Sequence, residues 1–332
     1  MNGILLVRTD RIGDLILSTP AIATVRKSFP RERITMVCSS YNRVVMERNT
    51  DVDEIVDLPG DVKPEVFGSR FRGRAGLAIA LAPRTADLAI VGGTRAPVRV
   101  GYTYLRRYLL RFTLRRYVNR LMISEADPDL SDRDPHRHVR HEVEQLLDLV
   151  ALAGANERVE SLRLDVNDED RSAIAFLPSD PIVFHLGKRW FHSGSTLEST
   201  IALVRDLHRF DLPIVVTYAP DCEPYLAALS ETRAADVLLG GLPFYRWAAV
   251  FERARVVITV DTGATHVASA VRRPSLVVFE HKYFQLNSHE WAPYGVPNVL
   301  VRKPAHEDPE SLERLRNEVL DGVAHLLTQT HA

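Results

Sequence analysis

Short, nearly continuous apolar runs alternate with helical patterns along this chain, and the rhythm stops once and then starts again. In the first half the runs are Ile4–Val7, Ile34–Cys38, Glu54–Leu58, Gly76–Leu81 and Ala89–Gly92, with helical patterns near 18–29 and 41–49. A strand that is hydrophobic throughout must be covered on both faces, which is the condition of a parallel sheet built from βαβ units. A helix is expected from about His138 to Leu152, and a boundary between Gly154 and Asp180. The rhythm then returns with Pro181–His185, Leu212–Tyr218, Val237–Leu239, Val256–Val260 and Ser275–Phe279, separated by helical patterns at about 196–210, 223–232, 244–253 and 263–271. A single core rarely grows across 332 residues, so two cores are expected. The expectation is an α/β protein of two doubly wound, Rossmann-like domains, over 1–165 and 166–310, with a cleft between them. Asp308 as N-cap, Pro309 at the first helical position and an apolar face of Leu312, Leu315, Val319, Leu320, Val323 and Leu326 mark an amphipathic helix over 308–328. That helix is expected to return and pack on the first domain.

Charge and cysteine content narrow the function classes. Cys38 and Cys222 stand too far apart in sequence for a disulfide framework or a clustered metal site. No window approaches the roughly 18 consecutive apolar residues of a membrane span, and the amino terminus has no signal-peptide pattern, so a cytoplasmic location is expected. The formal net charge is -1, yet residues 61–120 hold 13 basic and 3 acidic side chains. There Arg106, Arg107, Arg111, Arg115 and Arg116 interleave with Tyr104, Tyr108, Phe112 and Tyr117. As one helix, this segment would bury Leu105, Tyr108, Leu109 and Phe112 and present Arg107, Arg111 and Arg115 on another face. Such a face suits an acidic acceptor or an anionic membrane surface, and a merely solvated face is the plainer alternative. Buried aromatics would leave no platform for stacked bases, so nucleic acid is not an expected partner.

Ligands of open α/β sheets bind beyond the carboxyl ends of the strands, so the loops there carry the candidate chemistry. After the first strand comes Arg8-Thr9-Asp10-Arg11-Ile12-Gly13-Asp14. Asp14 is placed to take a proton from an incoming hydroxyl, and it is equally able to cap a helix or pair with Arg11. After Val256–Val260 comes Asp261-Thr262-Gly263-Ala264-Thr265-His266, a strand, a glycine turn and a helix amino terminus. Free backbone N–H groups and the helix dipole favour an anion there, and Thr262, Thr265 and His266 add donors; a plain turn is the alternative. Asp-Thr-Gly-Ala also matches the aspartic-protease signature, but those enzymes are β-rich and need two such loops. His185-Leu186-Gly187-Lys188-Arg189-Trp190 offers Lys188 as a point charge for a pyrophosphate. Glu223 follows Leu212–Tyr218 where a carboxylate can accept from ribose hydroxyls or serve a helix start. His136, His138 and His141 do not have catalytic-zinc spacing, and no complete dinucleotide fingerprint is present, which disfavours a nicotinamide dehydrogenase.

Taken together these segments resemble glycosyltransferase family 9, the ADP-heptose:lipopolysaccharide heptosyltransferases and their relatives. The resemblance lies in Ile4-Leu5-Leu6-Val7-Arg8 through Asp10-Arg11-Ile12-Gly13-Asp14 to Ser18-Thr19-Pro20-Ala21, then Asp87-Leu88-Ala89 and Arg99-Val100-Gly101-Tyr102. It continues in Gly187-Lys188-Arg189-Trp190 and in Asp261-Thr262-Gly263 with His266 and Ala268. The resemblance implies a GT-B fold with the acceptor in the first domain and a nucleotide-sugar in the second. It implies an inverting, metal-independent transfer, with no cofactor beyond the nucleotide-sugar, most naturally heptose from ADP-heptose to lipopolysaccharide core or a related glycan. Asp14 would be the general base; Lys188, Asp261, Thr262, Gly263, Thr265 and His266 would hold the diphosphate side of the donor and Glu223 the ribose. Arg11, Arg107, Arg111 and Arg115 would meet an anionic glycan or glycolipid, with peripheral contact at the cytoplasmic face of the inner membrane. The chain departs from the family's Phe-Gly-Pro-Thr after the last main strand, where it has Phe279-Glu280-His281-Lys282, and from its Trp-Pro after Trp190. A nucleotide-sugar epimerase and a catalytically inactive assembly module are the alternatives.

Overall fold

The runs that read as buried strands are, with one exception, strands. In the computed structural model, which describes residues 3–107, 110–126 and 139–329, β1 (Ile4–Val7) is at most 2% exposed at every position. It forms a parallel sheet with β2 (Ile34–Cys38), β3 (Glu54–Asp57), β4 (Leu77–Ala80), β5 (Val98–Tyr104) and β6 (Arg120–Ser124), in the order β3-β2-β1-β4-β5-β6. A second parallel sheet contains β7 (Ile182–Leu186), β8 (Ile214–Tyr218), β9 (Val237–Leu239), β10 (Val256–Val260), β11 (Ser275–Phe279) and β12 (Asn298–Arg302). Its order is β12-β11-β10-β7-β8-β9. The chain divides into two compact units, 1–164 and 165–332. Each is doubly wound and Rossmann-like, because the strand order runs outward in both directions from the first strand of the unit. No described helix is long and apolar enough to cross a membrane.

The helical pattern near 41–49 is no more than the short turn Arg43–Val45, and three further expectations change. Ala89–Gly92 is not a strand but part of the helix Thr85–Thr94, because a short apolar run has the same composition in a buried helix as in a buried strand. The strand of that region is β5, which continues to Tyr104 and prevents a single helix over 104–117. After β5 come a short turn at Leu105–Arg107 and a helix at Leu110–Leu114, and the expected buried stripe is lost: Leu105 is 39% and Phe112 59% exposed. Tyr108 and Leu109 lie outside the described residues.

The third change concerns the helix Pro309–Gln329. Its amino terminus is capped as expected, Asp308 Oδ1 accepting from Ser311 N at 3.0 Å. Its apolar face, expected on the first domain, is instead part of the second unit's own core: Leu315, Val319, Leu320, Val323 and Leu326 pack with β10, β11, β12 and the helix Leu197–Asp206. The reason is β12, which extends the second sheet and leaves Val299 and Leu276 needing cover. Gly322 permits the approach, since a Cβ there would collide with both side chains.

Candidate functional site

Each unit has one topological switch point, where the chain leaves neighbouring strands toward opposite faces and opens a crevice. In the first unit this lies between β1 and β4, and in the second between β7 and β10. The loops singled out in the sequence lie at those two places.

At the end of β1 the Arg8 guanidinium is buried, 3% exposed, and gathers three carboxylates. Its Nε donates to Asp10 Oδ1 at 3.0 Å, and its Nη1 donates to Glu142 Oε1 at 3.0 Å, to Ser18 Oγ at 3.1 Å and to the Leu81 carbonyl at 2.6 Å. Tyr102 OH also donates to Glu142 Oε1, at 2.8 Å. Asp14 Oδ1 stands 3.7 Å from Nη2, an ion pair without a full hydrogen bond. One fixed cation cannot neutralise three anions, and Asp14 is the carboxylate it holds least directly. Burial pushes the Asp14 carboxyl up to about 7, Asp10 and Glu142 act in the same sense, and Arg8 and Arg11 oppose them. Asp14 also reaches solvent, at 19% exposure against 2% for Glu142. It combines access with proton affinity near neutrality, which is what a general base requires.

The loop carrying Asp14 is pinned from behind. Asp87 Oδ2 accepts from Thr9 N at 3.1 Å and Oδ1 from Thr9 Oγ1 at 2.5 Å, and Asn42 Nδ2 donates to the Arg8 carbonyl at 3.1 Å. Burial lifts the Asp87 carboxyl to about 6 against those hydrogen bonds. Arg84 Nη1 donates to Thr9 Oγ1 at 3.2 Å. Among the expected acceptor residues, Arg11 is exposed at the head of the helix Ile12–Leu17 and Arg115 is exposed. Arg107 donates to the Pro83 carbonyl at 2.8 Å and lies over the Tyr104 ring. The Arg111 side chain, and His136 and His138, lie outside the described residues. His141 serves as a helix cap, its Nδ1 accepting from Val143 N at 3.1 Å.

In the second unit the turns after β7 and β10 touch. A Cβ on Gly187 would sit 3.3 Å from Val260 Cγ2 and 3.4 Å from Thr262 Cγ2, so glycine sets how closely they approach. Thr262 is the N-cap of the helix Gly263–Ala270, but its side chain makes no cap bond and its buried Oγ1 has no hydrogen-bond partner among the described residues. A buried hydroxyl left so is costly unless something else engages it. Lys188 is exposed beside this turn, in the short helical turn Lys188–Phe191, and Glu223 is exposed at the end of β8 in the turn Pro220–Tyr225. Thr265 and His266 are buried beneath the first turn, and the Thr265 hydroxyl points back to the Val260 carbonyl at 3.4 Å, closing the turn from inside. Asp261 is gripped by Arg189, whose guanidinium engages its carboxylate and its carbonyl, and Asn287 Nδ2 stands 3.5 Å from Asp261 Oδ2. An exposed ammonium, a helix amino terminus and a hydroxyl without a described partner are the kinds of group that a doubly charged anion attracts.

Sequence patterns assign no role to Arg8, Glu142, Arg189 or Lys303, and mark Glu280 as a charged departure from the family pattern beside the expected donor. Adjacency to Lys188 is a signal that could have found Arg189. The Arg8–Glu142 pair has no local signal, its members being joined only by the fold.

Comparison with known proteins gives a consistent picture. The model of glycosyltransferase family 9 (heptosyltransferase) matches residues 153–318. Among solved structures, a glycosyl transferase family 9 protein from Veillonella parvula DSM 2008 superimposes with a TM-score of 0.77 at 18% identity, covering 99% of this chain and 97% of that one. E. coli ADP-heptose lps heptosyltransferase II gives 0.74 at 18%, covering 99% and 100%. E. coli heptosyltransferase WaaC with ADP gives 0.72 at 17%, covering 97% and 99%. At these identities the likeness is one of fold. No curated protein sequence matches the chain.

Proposed function

The chain belongs to glycosyltransferase family 9 and has the GT-B fold, and from that premise we propose that it transfers heptose from ADP-heptose, with inversion, to a hydroxyl of lipopolysaccharide core or a related glycan. The observation that carries the reading is Asp14, a solvent-reaching carboxyl whose proton affinity lies near neutrality. In the reaction the acceptor O–H gives its proton to Asp14 while its oxygen bonds to the anomeric carbon from the face opposite the diphosphate. The bond from that carbon to the diphosphate oxygen breaks, and the nucleoside diphosphate leaves with the electron pair. Negative charge grows on the departing diphosphate, so groups already aimed at it lower the barrier.

Lys188 and the Gly263–Ala270 amino terminus, with Thr262 Oγ1, take that charge, and Glu223 receives the ribose hydroxyls. Asp261, Thr265 and His266 complete the donor site on the same turn, which Thr265 closes from inside and Arg189 holds through Asp261. Charge neutralisation assigned to lysine and backbone N–H groups leaves no step that calls for a metal. Arg11, Arg107, Arg111 and Arg115 attract an anionic glycolipid acceptor, and the exposed Phe112 beside Arg115 suits peripheral contact with the cytoplasmic face of the membrane.

The test is nucleotide binding by thermal shift, followed by turnover. ADP stabilises the protein by mass action, and Lys188→Ala and Thr262→Ala each weaken it by about tenfold or more, as expected for a hydrogen bond to a charged group. ADP-heptose is then consumed only when a glycan acceptor is supplied. Consumption without acceptor would point to epimerase chemistry, and binding without consumption to an inactive module.

A further inference from the structure

The strands at one side of the second sheet end level with one another: Val278 pairs with Val260 and Phe279 with Arg302. Glu280 therefore leaves the sheet one strand away from the Asp261-Thr262-Gly263 turn. Its side chain is 21% exposed, and Oε1 lies 3.2 Å from Nζ of Lys303, whose side chain is fully buried. The same ammonium donates to the backbone carbonyl of Arg189, the residue that grips Asp261. Among the described residues, Oε2 of Glu280 has one long contact, 3.5 Å from the Ser193 hydroxyl, and His192 Nδ1 stands 3.8 Å from Oε1. One oxygen of the carboxylate is thus anchored, and the other keeps most of its acceptor capacity.

An isolated carboxylate beside a diphosphate site would repel the ligand. Lys303 answers that objection: burial lowers its proton affinity and Glu280 opposes that shift, and the pair at 3.2 Å offsets the carboxylate charge while holding the side chain in one place. What survives is acceptor capacity alone: an ionised carboxylate accepts and cannot donate. Phosphate oxygens are acceptors too, so they offer Glu280 nothing. The groups that would bind it are hydroxyls, and the hydroxyl-rich part of a nucleotide-sugar beyond its diphosphate is the sugar.

We propose that Glu280, anchored by Lys303, receives hydroxyl groups of the sugar carried by the donor and is a specificity-determining residue for that sugar rather than for the nucleotide. The inference rests on the donor reading of these strand ends. Calorimetric titration of the whole protein and of Glu280→Gln, with ADP and with ADP-heptose, tests it. ADP binds both proteins equally, while ADP-heptose binds the variant about tenfold or more weakly, the range for losing a hydrogen bond to a charged group. Equal weakening of both ligands would make Glu280 a brace for the Lys188–Phe191 turn and overturn the proposal, as would unchanged affinity for both. If the uncompensated Lys303 prevents Glu280→Gln from folding, the double variant E280Q/K303M, which removes both charges, makes the same comparison. A wild-type protein that binds neither ligand refutes the donor reading itself, and this inference with it.

Discussion

Replacing Asp14 by Asn should change activity and stability in opposite directions, and both are measurable on one protein. Asp14 has its ordinary carboxyl affinity of 3.8 raised to about 7 by burial and by the neighbouring anions. The fold therefore favours the protonated form, and between about pH 4 and pH 7 the native state binds more protons than the unfolded chain. The stabilisation is complete below about pH 4 and is lost as the pH rises through about 7. At about 1.36 kcal/mol per pH unit, the gap from 3.8 to about 7 sets a ceiling of about 4 kcal/mol. Asn carries no charge at any pH, so at pH 8 the variant should be the more stable protein, and at pH 4 the two should unfold together. Even about 1 kcal/mol of the ceiling raises the unfolding temperature by about 2–4 °C for a unit of this size. Scanning calorimetry at both pH values reads the difference. At pH 8 the same variant should lose about 100-fold or more in kcat, the usual worth of a general base, while binding ADP normally. The wild-type kcat/KM should rise with pH through about 7, as the base form appears. Near-normal turnover by Asp14→Asn would refute the base assignment, and a stability difference that does not vary with pH would refute the raised carboxyl.

Glu142→Ala should cost about 3–5 kcal/mol in urea denaturation, since it strips a buried guanidinium and a buried phenol of their shared acceptor; an unchanged midpoint would show that Arg8 is satisfied without it. Replacing Arg107, Arg111 and Arg115 together by Gln should raise the KM for an anionic acceptor and leave the donor KM alone, with a larger effect at low salt than above about 0.3 M, where exposed charges are screened. Equal kinetics at both salt concentrations would remove that surface from the acceptor site. Dialysis against a chelator should leave transfer unaffected, and a loss of rate restored by added magnesium would show that a metal holds the diphosphate.

The sheets were legible where burial on both faces makes a strand uniformly apolar, as in β1, β2 and β10. They were illegible where that logic fails. The Thr85–Thr94 helix is buried nearly all round, so Ala89–Gly92 carries no helical stripe to reveal it. β5 mixes Arg99, Gly101 and Thr103 with its apolar residues, and β6 and β12 are edge strands with partly exposed faces. For the site, the loops could be found because a strand end followed by glycine and a helix is a local pattern. The Arg8 cluster could not, because Asp87 and Glu142 reach it from other elements far along the chain. Glu280 illustrates the remaining difficulty: the sequence marks it as a departure from the family pattern, and only the fold supplies the buried Lys303 that pairs with it.

Parallel pairing of the two central strands also governs how the protein forms. Ile4 pairs with Leu77 and Ile182 with Val256, so each first strand waits roughly seventy residues for the neighbour on its far side. Closing such a span costs chain entropy before the strand pair repays any of it, which makes sheets of this kind slow to assemble. The crevices at those two strands are thus late products of folding. A nascent chain that has made β1 and β2 has Arg8 and Asp14 but not the Leu81 carbonyl that holds the Arg8 guanidinium. Until β4 arrives, the residues for chemistry are present without the geometry, and the apolar edge of β1 is open to other chains.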